Sequence, residues 1–165
     1  MVQKKVCMLG SFSVGKTSLV RRFVESMFSD AYLTTVGVKI DKKPMQVNGN
    51  DVTLMLWDIY GEDDFQKLRM SYLRGASGFL LVVDGTRRAT LDKALAIKEE
   101  ADKALGPVQA VLVLNKCDLT EQWEIEQEKE NELAGRGWTL VRTSAKTGQG
   151  VEEVFTALTR AMLRK

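Results

Sequence analysis

The residues best able to do chemistry fall in three short segments. Gly10-Ser11-Phe12-Ser13-Val14-Gly15-Lys16-Thr17 has the spacing G-x-x-x-x-G-K-[ST], after an apolar run and before a helical pattern. Glycine at both ends lets such a loop wrap a phosphate and turn its backbone N–H groups inward, those of Ser13, Val14 and Gly15 among them. The helix N-terminus adds a positive partial charge. Lys16 can reach β- and γ-phosphates, and the Thr17 hydroxyl can ligate Mg²⁺. Asn115-Lys116-Cys117-Asp118 and Thr143-Ser144-Ala145-Lys146 each follow a strand-like run. A carboxylate at Asp118 can accept from the N1–H and N2–H₂ groups of guanine together. Adenine has no such donor pair, and a site built to hydrogen-bond a group rejects the analogue lacking it by roughly 10⁴–10⁵. Asp118 therefore predicts guanine and argues against an ATP-using enzyme. The Lys116 and Lys146 stems can cover the faces of the base.

Composition excludes other chemistries. The chain has 165 residues and no His, which removes Ser-His-Asp and Cys-His nucleophile systems and His-ligated metals. Twenty-four Lys and Arg against 22 Asp and Glu leave a net charge of +2, too near balance for a nucleic-acid footprint. Two cysteines, Cys7 and Cys117, make no disulfide framework and predict a reducing, cytoplasmic setting. No apolar run approaches about 18 residues, and no signal peptide is visible. Val2 excludes N-myristoylation, and Ala161 to Lys165 contains no Cys to prenylate. The expectation is a monomer with no direct membrane anchor in this chain.

The elements that must position these segments alternate. Lys5 to Leu9 reads as a short strand, and Leu19, Val20, Phe23 and Val24 recur at helical spacing after Lys16. Pro44 to Val47 and Val52 to Trp57 flank Asn48-Gly49-Asn50-Asp51, a hairpin signal. Phe79 to Val83 and Ala110 to Leu114 read as strands buried on both faces, and Thr139 to Arg142 as a shorter one. Leu91 to Leu105 reads as a helix stopped by Gly106-Pro107. Val151, Val154, Phe155, Leu158 and Met162 make the apolar stripe of a last helix. The six Glu between Glu121 and Glu132 read as a solvated helix face. Alternating strands and helices imply an α/β fold with a mainly parallel sheet, which binds ligands beyond the carboxyl ends of its strands. No linker or repeat divides residues 1–165, so one domain is expected.

With these motifs the chain resembles a small GTPase of the Ras superfamily, and within it the Rab branch. Tyr32-Leu33-Thr34-Thr35-Val36-Gly37 is similar to that branch's first switch, Leu56-Trp57-Asp58-Ile59-Tyr60-Gly61 to its second, and Ser71-Tyr72-Leu73-Arg74-Gly75-Ala76 to the helix that follows. The resemblance implies a P-loop NTPase fold with a six-stranded sheet flanked by helices on both faces. It implies GTP or GDP and Mg²⁺ as ligands, and effector and regulator proteins as partners of the switch loops. Phe28 would pack against guanine. Thr35 would close over Mg²⁺ and the γ-phosphate, Asp58 would hold Mg²⁺ through a water, and the Gly61 amide would sense the γ-phosphate. Ser18 and Ser144 would join the nucleotide contacts, Asn115 would tie the base loop to the phosphate loop, and the Ala145 amide would meet guanine O6. The γ-phosphate and Mg²⁺ would hold both loops until hydrolysis releases them.

Three residues depart from the family pattern. Glu62 stands where the family has a Gln that orients the attacking water. An ionised Glu can only accept hydrogen bonds, and it adds negative charge beside an anionic transition state. Phe12 stands where the family has a small residue, so its ring would crowd both the water-positioning residue and an arginine finger. Tyr60 replaces a usual Ala. No Arg lies between Phe23 and Trp57, so the first switch supplies no finger in cis. The expected function is a switch that hydrolyses GTP slowly, with Lys16, Thr35, Gly61 and Glu62 as its catalytic group. The alternative is a GTP-binding interaction module that does not hydrolyse.

Overall fold

The computed structural model describes residues 2–11, 14–25, 38–59 and 72–164. Six strands, β1 (Val2–Gly10), β2 (Val38–Val47), β3 (Asn50–Ile59), β4 (Gly78–Asp84), β5 (Gln109–Asn115) and β6 (Leu140–Arg142), form one sheet in the order β2-β3-β1-β4-β5-β6. All neighbours are parallel except β2 and β3. Among the described residues the longer α-helices are α1 (Lys16–Glu25), α2 (Arg88–Leu105), α3 (Gln127–Gly135) and α4 (Val151–Leu163), with a 3-10 turn at Thr120–Gln122 before α3. No helix among them is long and apolar enough to cross a membrane.

The side-chain period of two sorts the central strands onto two cores. Leu80 and Val82 of β4 join Val6, Met8, Val111 and Val113 beneath α1 and α4, where the rings of Phe23 and Phe155 stack with centroids 3.9 Å apart. Phe79, Leu81 and Val83 face the other way, with Cys7, Leu9, Leu112 and Leu114, against Leu91, Ala94, Ile97 and Ala101 of α2 and Leu133 of α3. The sheet thus lies between helices on both faces, as expected, and its strands are apolar without interruption because both sides are covered.

The hairpin is tighter than the sequence signal suggests. Val47 pairs with Asn50, so the turn is Asn48-Gly49 alone, with φ of 53° and 80°. Positive φ at both central residues is what a two-residue turn matched to strand twist requires. β1 begins at Val2 rather than Lys5, because Val2 to Lys5 continue the ladder with Val52 to Met55 of β3.

At the end of β4 the backbone passes directly beneath the Trp123 ring. A Cβ built on Gly85 would lie 2.0 Å from Cζ3 of that indole. Gly85→Ala must displace the ring, an overpacking that costs about 1–3 kcal/mol. A drop in Tm of roughly 3–10 °C is expected by thermal melting; an unchanged Tm would show that the ring yields freely.

Candidate functional site

The carboxyl ends of four parallel strands bring the predicted residues together. Gly10 ends β1, Asp58 lies near the end of β3, Asp84 ends β4 and Asn115 ends β5. The ladder sets Asp84 opposite Asn115 at the ends of β4 and β5, and Asp58 opposite Met8, two residues before β1 ends at Gly10.

At the first strand end the chain turns into α1. Lys16 is buried, and its Nζ donates to the carbonyls of Gly10 at 3.0 Å and Ser11 at 3.1 Å, which curls the ammonium over the start of the loop. Gly15 has φ of 105°, and a Cβ there would lie 2.2 Å from Asn115 Nδ2. Only glycine fits this close approach. The Gly15 carbonyl then accepts from the Leu19 N–H as the helix starts. Thr17 Oγ1 donates to Asp58 Oδ2 at 2.5 Å, joining α1 to β3, and Asp58 is 1% exposed. Ser18 is half-buried on the same first turn.

Asn115 joins the phosphate loop to the segment after β6. Its Nδ2 donates to the Val14 carbonyl at 2.9 Å, and its Oδ1 accepts from Thr143 Oγ1 at 3.0 Å. The next residues are held as firmly. Lys116 adopts φ of 70°, and the Cys117 N–H donates to the Thr143 carbonyl at 2.9 Å. Asp118 Oδ1 accepts from Ser144 Oγ at 2.8 Å. That hydroxyl also accepts from the Thr147 N–H, while the Ser144 carbonyl accepts from the Gly148 N–H. Ser144 and Ala145 are buried and Lys146 is exposed. The Lys146 carbonyl accepts from Arg22 Nη2 of α1 at 3.3 Å. Val14, Gly15, Lys16, Thr17, Ser18, Asp58, Asn115, Lys116, Asp118, Ser144, Ala145 and Lys146 therefore surround one end of the sheet. Ser13, Phe28, Thr35, Gly61 and Glu62 lie outside the described residues, as do Phe12 and Tyr60.

Sequence reasoning misses Asp84 and Arg22, and it gives Thr143 no role of its own within the base segment. Asp84 Oδ1 accepts from the Thr86 N–H at 2.9 Å and Thr86 Oγ1 at 2.6 Å. Its Oδ2 accepts from Arg87 Nε at 2.9 Å and faces Lys116 Nζ at 3.0 Å. Burial alone would raise this carboxyl, but the hydrogen bonds from Thr86, Arg87 and Lys116 hold it down at about 2. The available signal is position: an Asp directly after a buried apolar strand, as Asp58 nearly is. Cys117 is different. Burial and the neighbouring Asp118 charge push its thiol up, so it stays protonated and poorly nucleophilic.

The Ras family model matches residues 5–164. The chain is similar to Ras-related protein Rab-4 of Dictyostelium discoideum, 36% identical over 163 residues that cover 98% of this chain and 80% of the relative. It is 32% identical to Ras-related protein Rab-13 of Bos taurus over the same shares, and 31% identical to Ras-related protein Rab-8B of Homo sapiens over 98% and 79%.

Proposed function

This chain belongs to the Ras family, and from that premise we propose that it is a guanine-nucleotide switch, one domain over residues 1–165, that hydrolyses GTP slowly. The observation that carries the reading is the Asn115 amide. It fastens the phosphate loop at Val14 to the base segment at Thr143, one residue from the Ser144 that holds Asp118. A phosphate cradle and a carboxylate suited to guanine are thereby set at one end of one sheet.

The donor set also fits Mg²⁺. That ion takes oxygen ligands, and Thr17 Oγ1 and Asp58 Oδ2 are two oxygens in contact at the mouth of the loop. Thr17 and Asp58 would hold the ion with Thr35, and when bound it neutralises charge on the β- and γ-phosphates. The chain's own work is positioning. The first-turn N–H groups of α1 and the Lys16 ammonium meet the phosphates, Asp118 selects the base, and the Lys116 and Lys146 stems cover it. Ser13, Val14, Gly15 and Ser18 line the phosphates, while Phe28 and Ala145 complete the base contacts. Thr35 and Gly61 read the γ-phosphate, and effector and regulator proteins read the two switch loops. Free thiols at Cys7 and Cys117 support a reducing, cytoplasmic setting.

Slow turnover follows from side-chain chemistry at three positions. Glu62 accepts from the attacking water but cannot donate toward the γ-phosphate. Phe12 would crowd an arginine finger, worth roughly 10³–10⁵ in rate, and the Tyr60 ring would shield the γ-phosphate or join a partner surface. Single-turnover hydrolysis with Mg²⁺ tests this beside Glu62→Gln. The parent is expected below about 10⁻⁴ s⁻¹, with Glu62→Gln roughly tenfold faster. A parent rate typical of the family, or strong stimulation by an arginine-finger activator, overturns the slow reading. Absence of hydrolysis in both proteins, with GTP retained, establishes the second reading that Phe12, Tyr60 and Glu62 favour: a GTP-bound interaction module.

A further inference from the structure

We infer that Asp84 is a positioning residue for the nucleotide base, acting through Lys116, whose side chain it holds across the base site. The inference rests on the guanine-nucleotide reading above and adds a residue to it. Lys116 needs such a hold for two reasons. Its backbone sits at φ of 70°, a conformation that L-residues with a Cβ disfavour. Its stem is long and flexible, and an ammonium is a compact charge with no fork to fix its direction. A base lying against the stem gains contact area only if the stem stays where the base arrives. Lys116 Nζ lies 3.0 Å from Asp84 Oδ2, which anchors the far end of that stem to the end of β4.

Asp84 is itself held in place. Its side chain is 2% exposed, and each oxygen meets two donors, Thr86 N and Oγ1 on one side and Arg87 Nε and Lys116 Nζ on the other. Its backbone is fixed as well: the Asp84 N–H donates to Thr90 Oγ1 at 2.9 Å, and the Gly85 N–H donates to the Asn115 carbonyl at 3.0 Å. The Trp123 ring covers the adjoining Gly85 backbone, and the Arg142 guanidinium lies 5.1 Å from that ring's centre. The carboxylate therefore cannot swing away, and the lysine it meets is fixed in turn. A strand-end carboxylate that is 2% exposed differs from the carboxylates of the Lys103–Glu99 and Arg136–Glu132 pairs, whose side chains are 74% and 45% exposed.

The test is the dissociation rate of a fluorescent GDP, the N-methylanthraniloyl derivative, from the full chain with Mg²⁺. It is read for the parent, Asp84→Asn, Lys116→Ala and the double variant. Asp84→Asn is expected to raise the rate roughly tenfold. Lys116→Ala should raise it at least as much, and the double variant should match Lys116→Ala alone, because a residue acting through another adds nothing once that other is gone. An Asp84→Asn rate within about twofold of the parent overturns the inference. So does an Asp84→Asn effect that persists undiminished in the Lys116→Ala background, since a merely structural residue behaves that way. If melting shows that Asp84→Asn does not fold, the Lys116 ammonium is observed instead by ¹⁵N NMR of the unaltered GDP-bound protein. A slowly exchanging cross-peak supports the anchor, and its absence overturns it. A parent that retains no guanine nucleotide overturns the proposed function together with this inference. Retention with an unmoved Asp84→Asn rate overturns the inference alone.

Discussion

Asp118→Asn should exchange one base preference for another. The carboxylate offers two acceptor oxygens, and guanine presents two donors side by side. An amide offers one acceptor and one donor group. Its NH₂ would face the guanine N2–H₂ donor to donor, so one hydrogen bond is lost and a repulsion replaces it. Hydrogen bonds to charged groups contribute about 1.5–3 kcal/mol each, so losing one and the charge assistance of the other lowers GDP affinity by roughly 10²–10³. Xanthine carries an oxygen in place of the guanine N2 amino group while keeping N1–H. It presents an acceptor and a donor, which match the amide. Affinity for xanthosine diphosphate should therefore rise as that for GDP falls.

The surrounding geometry makes this substitution readable. Ser144 Oγ donates to Asp118 Oδ1 at 2.8 Å, and an amide oxygen accepts the same bond. Ser144 is in turn fixed by bonds to Thr147, Gly148 and Gln149, so the loop keeps its shape when the charge is removed. Competition of GDP, ADP and xanthosine diphosphate against fluorescent GDP reports all three affinities. Should the variant hold GDP within about tenfold of the parent, Asp118 is not the base-reading group and the guanine reading loses its specific support.

Much of this site is legible in the sequence because its groups are short-range devices. Gly10, Gly15, Lys16 and Thr17 act within one turn between a strand and a helix, so their spacing along the chain carries their geometry. Asp118 and Ser144 follow two separate strands, and the rule that ligands meet strand ends brings them together before any coordinate does. Asp84 escapes that reading because Thr86 and Arg87, two and three residues on, give it an ordinary local turn, and its contact toward the base segment, Lys116, is distant in sequence. Its partners Thr86, Arg87 and Lys116 come from a loop, a helix cap and another strand end. No pattern in the segment itself announces a carboxylate with four donors. β2 is harder again. Ile40 is 46% exposed and Lys42 and Pro44 are exposed too, because this edge strand pairs on one side only and a charged, Pro-containing edge resists further pairing. Its extent is set by the ladder with β3, which runs from Val38↔Ile59 to Val47↔Asn50, and not by apolar alternation of its own. The glutamate-rich stretch keeps its solvated character except at Glu130, whose side chain is 12% exposed against Arg142.

Asn115→Ala should weaken the fold and the nucleotide site together, and the two effects can be separated. Asn115 is 2% exposed and its amide is used at both ends, Nδ2 on the Val14 carbonyl and Oδ1 beneath the Thr143 hydroxyl. Truncation leaves a buried carbonyl and a buried hydroxyl without that partner, each costing about 1–3 kcal/mol. The expected loss of roughly 2–4 kcal/mol is a large share of the usual 5–15 kcal/mol of stability. At about 2–4 °C per kcal/mol for a chain of this size, Tm should fall by roughly 5–15 °C. The nucleotide-free melt reports that loss. The further rise in Tm with excess GDP reports binding, since a ligand that prefers the folded state stabilises it by mass action. Thr143→Val removes only the hydroxyl, so it should cost less in the nucleotide-free melt and leave most of the GDP-dependent rise. Asn115→Asp keeps an acceptor for Thr143 but sets a carboxylate oxygen against the Val14 carbonyl. Its GDP-dependent rise should be the smallest of the three, because the phosphate loop is then pushed from the base segment. Equal rises in Asn115→Asp and Thr143→Val would show that the link through Val14 does not organise the phosphate loop. The Asn115 amide would then serve the core alone.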